Sequence, residues 1–265
     1  MPIFLYMVIL FVIPLIIILA VSFFDPTFTL KNYAAFFSVP AYLIILKNTF
    51  VVSIEVTILC LILAYPVSYV LASVKGNLRS ILLLFVLVPF WMSFIIRSFT
   101  WIVILQRQGV VNSILMGLHI IQSPLQLVGN QIGVIIGMVH VLLPFMILPL
   151  FNSIASIDPD LTKAAQSLGC RSFTNFLKIM LPLSIPGIVT GSLLVFIIAL
   201  GYYITPQLLG GSSSTMISQL IVTEIGQQLN WGFGSAIAVV LLVCVSIVLV
   251  VFNRFLSADK VTFTI

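Results

Sequence analysis

Charge is what this sequence has least of. Its 265 residues include 11 Lys or Arg and 6 Asp or Glu, 6 % in all, against 62 % hydrophobic residues. Soluble domains run near a quarter charged. So apolar a chain cannot present a water-facing surface all round, which excludes an ordinary soluble domain and points to a polytopic membrane protein. Cysteine is scarce as well. Cys60, Cys170 and Cys244 are an odd, scattered set without metal-ligand spacing, which argues against a disulfide framework and against a metal centre. No glycine is followed by lysine, so the G-x-x-x-x-G-K-[ST] loop is missing and the chain has no P-loop of its own for ATP. H-E-x-x-H and G-x-S-x-G are missing too, and a polar loop separates His119 from His140. The net charge of +5 is no sign of nucleic-acid binding, because the basic residues form no run and are not interleaved with aromatics. In an apolar chain they act instead as topology determinants.

What the sequence has in quantity is apolar runs of the roughly 20 residues needed to cross a bilayer. Six are present, at 3–23, 48–72, 80–104, 131–152, 186–206 and 233–253. The first lacks a basic leader and is too long for a signal-peptide core, so it reads as a retained helix. The expected fold is an all-α membrane protein of six spans in one domain, 1–265. Lys75, Arg79, Lys163, Arg171, Lys178, Arg254 and Lys260 fall in the connections on one side, and Lys31, Lys47 and Arg107 on the other. The richer side is the cytoplasmic one, which puts both termini in the cytoplasm. In the outer connections, 111–121 and 214–229 have helical apolar spacing. They are expected to rest on the bilayer or to meet a partner outside, and Glu224 lies in the second.

One inner connection collects charge. Asp158, Asp160, Lys163, Arg171 and Lys178 stand within "DPDLTKAAQSLGCRSFTNFLK". Pro159 and Asp160 suit the first turn of a helix, and Gly169 suits its end. Phe173, Phe176, Leu177 and Met180 have the spacing of a second helix, closed by Pro182 and Pro186. The residues allow two readings. One is an amphipathic loop on the inner leaflet. The other is a two-helix knob whose small side chains admit a partner protein.

The spacing of Ala164-Ala165, Gly169, Ile179, Leu181 and Pro182 resembles the EAA loop of the type I permeases of binding-protein-dependent ABC importers. "VPFWMSFIIRSFTW" (88–101), "GVVNSIL" (109–115), "LLPFMILPL" (142–150), "ITPQLLGG" (204–211) and "NWGFGSAIAVVLL" (230–242) resemble the spermidine/putrescine branch. Iron, phosphonate and opine or amino-acid permeases are close relatives of that branch. The resemblance implies the type I ABC importer permease fold, with a transmembrane core at 47–253 and a coupling loop at 158–182. Asp160, Lys163, Ala164, Ala165, Gly169, Ile179, Leu181 and Pro182 would then engage the ATPase. It further implies a bacterial inner-membrane subunit that is not an enzyme. Its partners would be a second, homologous permease chain, two cytoplasmic ATPases that hold ATP and Mg, and an extracytoplasmic solute-binding protein. This chain would bind no cofactor and no nucleic acid. Its solute would be a small organic molecule such as spermidine or putrescine. Lys163 departs from the pattern, which usually has Glu there. Either the ATPase compensates or Asp160 substitutes one turn earlier. Two other classes stay open on the residues alone: an ion-coupled secondary transporter in which Glu55 carries a proton, and a membrane scaffold.

Glu55, Arg97 and His140 lie inside predicted spans. Counting from the span ends places all three at a similar depth in the outer half. A Glu55–Arg97 ion pair, a lining of the solute path and snorkelling to the interface are the alternatives. Trp91, Phe94, Phe99, Trp101, Tyr202 and Tyr203 are candidate cation–π contacts for an organic cation, or else belt and packing residues. Gly133-xxx-Gly137 is suited to close helix packing.

Overall fold

The computed structural model describes residues 2–24 and 27–262; of these, the side chains of 2–5, 253 and 255–262 are not described, so the charge of Lys260, counted among the topology determinants, lies outside the described side chains. The described residues are helical, without a strand. In chain order the helices are α1 (Pro2–Phe23), α2 (Lys31–Ser38), α3 (Pro40–Ser73), α4 (Asn77–Leu87), α5 (Phe94–Leu105), α6 (Val110–Gly117), α7 (Gln131–Ala155), α8 (Pro159–Ser167), α9 (Ser172–Asn175), α10 (Leu181–Leu183), α11 (Ile185–Leu200), α12 (Ile204–Leu209), α13 (Ile217–Gly226) and α14 (Trp231–Thr262). Four helices are long and apolar enough to cross a membrane, or up to six if each of two bent helix pairs is one span.

One bent pair falls inside a predicted single run; the other bends at the predicted boundary before 186–206. Residues 80–104 are not one helix: Asn77–Trp91 and Phe94–Gly117 meet at 97°. Pro89 opens a tight 3-10 turn, Val88–Trp91, and Met92 and Ser93 then adopt extended ψ angles of 140° and 135°. Proline lacks the N–H that would continue the ladder, and the turn releases the chain into a new direction. The run at 186–206 ends early, at Leu200, and its helix is bent by 63° from the segment Ser172–Leu183. Pro182 and Pro186 flank that bend, and a π-helical stretch, Phe176–Met180, precedes it. A π turn shifts the hydrogen-bond register just where Pro182 has no N–H to offer. Of the outer segments, 111–121 is helical only to Gly117, and 214–229 holds α13.

The chain forms two compact units, 1–47 with 216–265, and 48–215. In the first, α1, α2 and α13 pack on α14. Phe36, Ile217, Phe233, Ile237 and Val240 form its buried core, and the Ser22 hydroxyl lies 2.7 Å from that of Tyr33. In the second, α7 is the centre, with α11, α12 and α5 against it. Gly187 lets α11 lie close to α7, because a Cβ there would stand 2.5 Å from the Ser153 Cβ and 2.9 Å from the Pro149 carbonyl oxygen. Gly137 does the same for α12, with Leu209 and Thr205 side-chain carbons at 2.6 Å from its would-be Cβ. The packing expected of Gly133-xxx-Gly137 is therefore present, while the matching Gly187-xxx-Gly191 on α11 escaped the sequence reading. α3 is tied to α7 by Ser68, whose hydroxyl donates to the Ile147 carbonyl at 3.1 Å.

Candidate functional site

The charged segment folds as two helical pieces around one glycine. Asp158 caps α8: its side chain accepts from the Asp160 N–H at 2.9 Å, and Pro159 occupies the first helical position, where its missing N–H costs nothing. Gly169 ends the helix with φ of 80°, a left-handed conformation that glycine adopts without strain. A Cβ at Gly169 would meet no atom within 4 Å, so the turn needs glycine for its backbone and not for space. Lys163 Nζ donates to Asp160 Oδ1 at 2.8 Å, with both side chains about three-quarters exposed, at 73 % and 77 %. That hydrogen bond holds the Asp160 carboxyl below its ordinary range and raises Lys163 above its own. Asp160 is thus engaged by the lysine that replaces the usual Glu.

Asn175 and Met180 are buried. The Phe176 ring stands edge-on to Tyr65 of α3, centroids 5.3 Å apart, and the Ser184 hydroxyl lies 2.9 Å from that of Tyr65. Ile179 and Leu181 are half-buried on this inner side, while Pro182 is exposed. Beyond these contacts the segment leaves large apolar groups open: Leu168 is 88 % exposed, and Phe173, at a cavity that Tyr65 and Phe176 also line, is 72 % exposed. Ala164 is exposed beside them and Ala165 half-buried. Exposed apolar groups of this kind mark sites of contact with a protein or a membrane.

Deeper in the second unit, the intramembrane charges are not arranged as the sequence suggested. Glu55 Oε2 accepts from Gln131 Nε2 at 2.7 Å. Gln131 is the first residue of α7, and His140 comes nine residues, about 13 Å, further along that helix. Glu55 and His140 are therefore at different depths, and Glu55 does not pair with Arg97. The count took the two runs to begin level with one another, whereas Glu55, well inside α3, stands beside the first residue of α7. Arg97 is buried, 3 % exposed. Its guanidinium lies 4.8 Å from the Phe94 ring centroid, and its Nε has no hydrogen-bond partner. His140 and Tyr202 are within electrostatic reach of it. The Trp101 ring stands edge-on to His140 at 5.6 Å, and the Ser98 hydroxyl is 3.2 Å from that of Thr205. Arg97, Trp101, His140 and Tyr202 thus form one cluster, close to the break in Asn77–Gly117. Trp91 sits at that break, 91 % exposed. Beyond His140, a cavity of about 520 Å³ runs between α3, α4 and α7 past Pro66, Phe85 and Pro144.

Two residues that the sequence reading passed over do much of the positioning. Gln131 holds Glu55. Asn112, fully buried, pins the connection before α7 by donating to the Gln106 and Leu125 carbonyls and accepting from the Leu125 N–H at 2.9 Å. Only a buried Asn in a polar stretch could have hinted at the second. Glu224, placed by sequence in an open loop, is buried, 5 % exposed. Burial raises its carboxyl pKa, and a hydrogen bond from Asn230 opposes that rise.

Comparison with known proteins shows the family. Residues 64–261 match the model of the binding-protein-dependent transport system inner membrane component family. The chain belongs to this family. It is 35 % identical to the spermidine/putrescine transport system permease protein PotB of Haemophilus influenzae over 95 % of this chain and 91 % of that protein. With PotB of Escherichia coli K12 it shares 34 % over 88 % of this chain and 84 % of that protein. Among solved structures, a bacterial alginate ABC transporter in complex with a pentasaccharide-bound periplasmic protein superposes with a TM-score of 0.79, covering 99 % of this chain and 93 % of the other at 19 % identity. That likeness is one of fold. The chain is accordingly an inner-membrane permease subunit of an ABC importer, and hydrolysis of ATP belongs to a separate subunit.

Proposed function

We propose that this permease carries a small organic cation of the polyamine class, spermidine or putrescine, across the bacterial inner membrane, and that the segment 158–182 receives the movement of the ATPase. The substrate rests on the 35 % identity to PotB along nearly the whole chain. The coupling role rests on one observation above the others: the charged connection exposes large apolar side chains, Leu168 and Phe173, while Phe176 and Ser184 anchor it on Tyr65 of α3. In this reading the protein has six spans, counting each bent pair as one, with a core at 47–253 and both termini in the cytoplasm. It works with a second permease chain, two ATPases that hold ATP and Mg, and an extracytoplasmic solute-binding protein. Asp160, Lys163, Ala164, Ala165 and Gly169 shape the contact. Ile179, Leu181 and Pro182 transmit it to α11. Trp91, Arg97, His140 and Tyr202 stand along the solute path, and Glu55 keeps the outer end of α3 against α7. Non-helical backbone at membrane depth is tolerated only where it is buried or lines a cavity, and the break at Met92–Ser93 fits a path.

One observation favours a second solute. A buried Arg97 beside His140 would repel a polycation and attract a carboxylate, as an opine or amino acid carries. The test is uptake of labelled spermidine into proteoliposomes that contain the complete importer and its binding protein. ATP-dependent uptake that unlabelled putrescine competes away and amino acids do not supports the polyamine reading. Competition by amino acids alone moves the substrate to the second class.

A further inference from the structure

The first unit holds a polar cavity that the transport reading does not use. It measures about 410 Å³ and lies among α2, the first turn of α3, α13 and the start of α14. Ligand pockets run from roughly 300 to 1,000 Å³. Glu224 contributes a buried carboxylate, which Asn230 Nδ2 meets only at 3.5 Å. Among the described residues the ion pair is Lys163–Asp160, so no base there neutralises Glu224. The Tyr42 and Phe233 rings, 5.2 Å apart and inclined at 54°, form an aromatic wall of the same cavity. Asn32 also lines it, and its buried Nδ2 has no hydrogen-bond partner.

These features specify a ligand. An unpaired buried carboxylate asks for a cation. Aromatic faces beside it favour an organic ammonium over a small hydrated ion, by cation–π attraction and apolar contact. The unused Asn32 donor asks for an acceptor such as a hydroxyl. We propose that this corner of α2, α13 and α14 binds a small organic ammonium ion that carries a hydroxyl or similar acceptor, with Glu224 as counter-charge, the Tyr42 and Phe233 rings as walls and Asn32 as donor. Lys31, exposed and also part of the lining, opposes the cation and sets a ceiling on affinity. The site is separate from the Arg97 cluster in sequence and in packing unit, and it does not depend on the identity of the transported solute.

Choline is a suitable probe, with its uncharged carbon isostere dimethylbutanol as control. The native cysteines are replaced by alanine and Gln228, on the exposed margin of the cavity, by cysteine. The rate of its alkylation by a maleimide is then followed in the assembled importer without ATP. Choline should slow alkylation and dimethylbutanol should not. Glu224→Gln should raise the choline concentration needed by about tenfold or more, the order of one charge-assisted contact. Lys31→Gln should lower it by about threefold, and this rim variant remains informative if Glu224→Gln fails to assemble. Equal protection by both compounds, an unchanged choline requirement in both variants, or protection by the solute-binding protein but not by choline each overturns the proposal. The readout needs neither hydrolysis nor uptake, so it fails or succeeds independently of the transport reading.

Discussion

The knob at 158–182 and the Arg97 cluster both hold charge, and they treat it in opposite ways. In the knob, Lys163 and Asp160 face water and each other at 2.8 Å; the apolar tips Leu168 and Phe173 are what stand without a neighbour. In the cluster the charge itself is buried: Arg97 is 3 % exposed, its guanidinium lies against the Phe94 ring and its Nε has no hydrogen-bond partner. Surface ion pairs contribute little, so in the proposed reading the knob works through its exposed apolar groups. A buried cation is costly unless something answers it, so in the same reading the cluster works through what comes to Arg97. The proposal makes the first a docking surface and the second a receptive point.

The comparison can be broken from either side. The largest effect is expected at the knob tips: Leu168→Asp with Phe173→Asp should weaken ATPase binding by about 100-fold or more, the scale of one to two interface hot spots. The amount of permease in the membrane should stay unchanged, because neither side chain is packed; copurification against membrane content reads it. Next come the glycines, which separate backbone need from space. Gly187→Val should destabilise the chain by about 1–3 kcal/mol through overpacking of α11 on α7. Gly169→Ala should cost about 1–2 kcal/mol, the penalty of a left-handed residue, confined to the loop. Thermal unfolding of the detergent-solubilised complex compares the two, and a larger loss at Gly169 contradicts the open space found around it.

A smaller effect separates the intramembrane charges. Glu55→Gln and Arg97→Gln should be additive in a double-mutant cycle, within about 0.3–0.5 kcal/mol, because Glu55 answers to Gln131 and not to Arg97. A coupling well above that restores the pair. The smallest effect is at Lys163. Lys163→Glu removes the exposed contact with Asp160 and leaves two like charges three residues apart, with no measurable change in stability. A loss of coupled hydrolysis would then report an ATPase fitted to lysine, and unchanged hydrolysis a merely solvated side chain.

How much of this was legible in the sequence divides along the same line. The knob was, since its determinants are local: Asp158 and Pro159 start α8, Gly169 stops it, and the Phe173–Met180 spacing builds the second piece. Their neighbours in sequence are their neighbours in space. The cluster was not. Arg97 and His140 were flagged as charged residues in spans, but their companions come from helices far apart in the chain. Depth counted from apolar runs misplaced Glu55 because α3 and α7 do not begin level: Glu55, well inside α3, meets the first residue of α7. The break at Met92–Ser93 had a local cause, Pro89, hidden in a run so hydrophobic that composition read as continuous. The burial of Glu224, expected only in an outer connection, was not legible, because the residues around it come from α2 and α14 as well as from its own helix.

The most direct test of the central claim is a cross-link. A cysteine at Leu168 of the assembled importer, treated with a short bifunctional thiol reagent, should join this chain to the ATPase subunit, and the yield should change when ATP is added. A cysteine at Ser213, in the connection placed on the opposite side of the membrane, should give no such product. Cross-linking to the ATPase from Ser213, or none from Leu168 in a complex shown to be intact, would contradict the assignment of 158–182 as the coupling site.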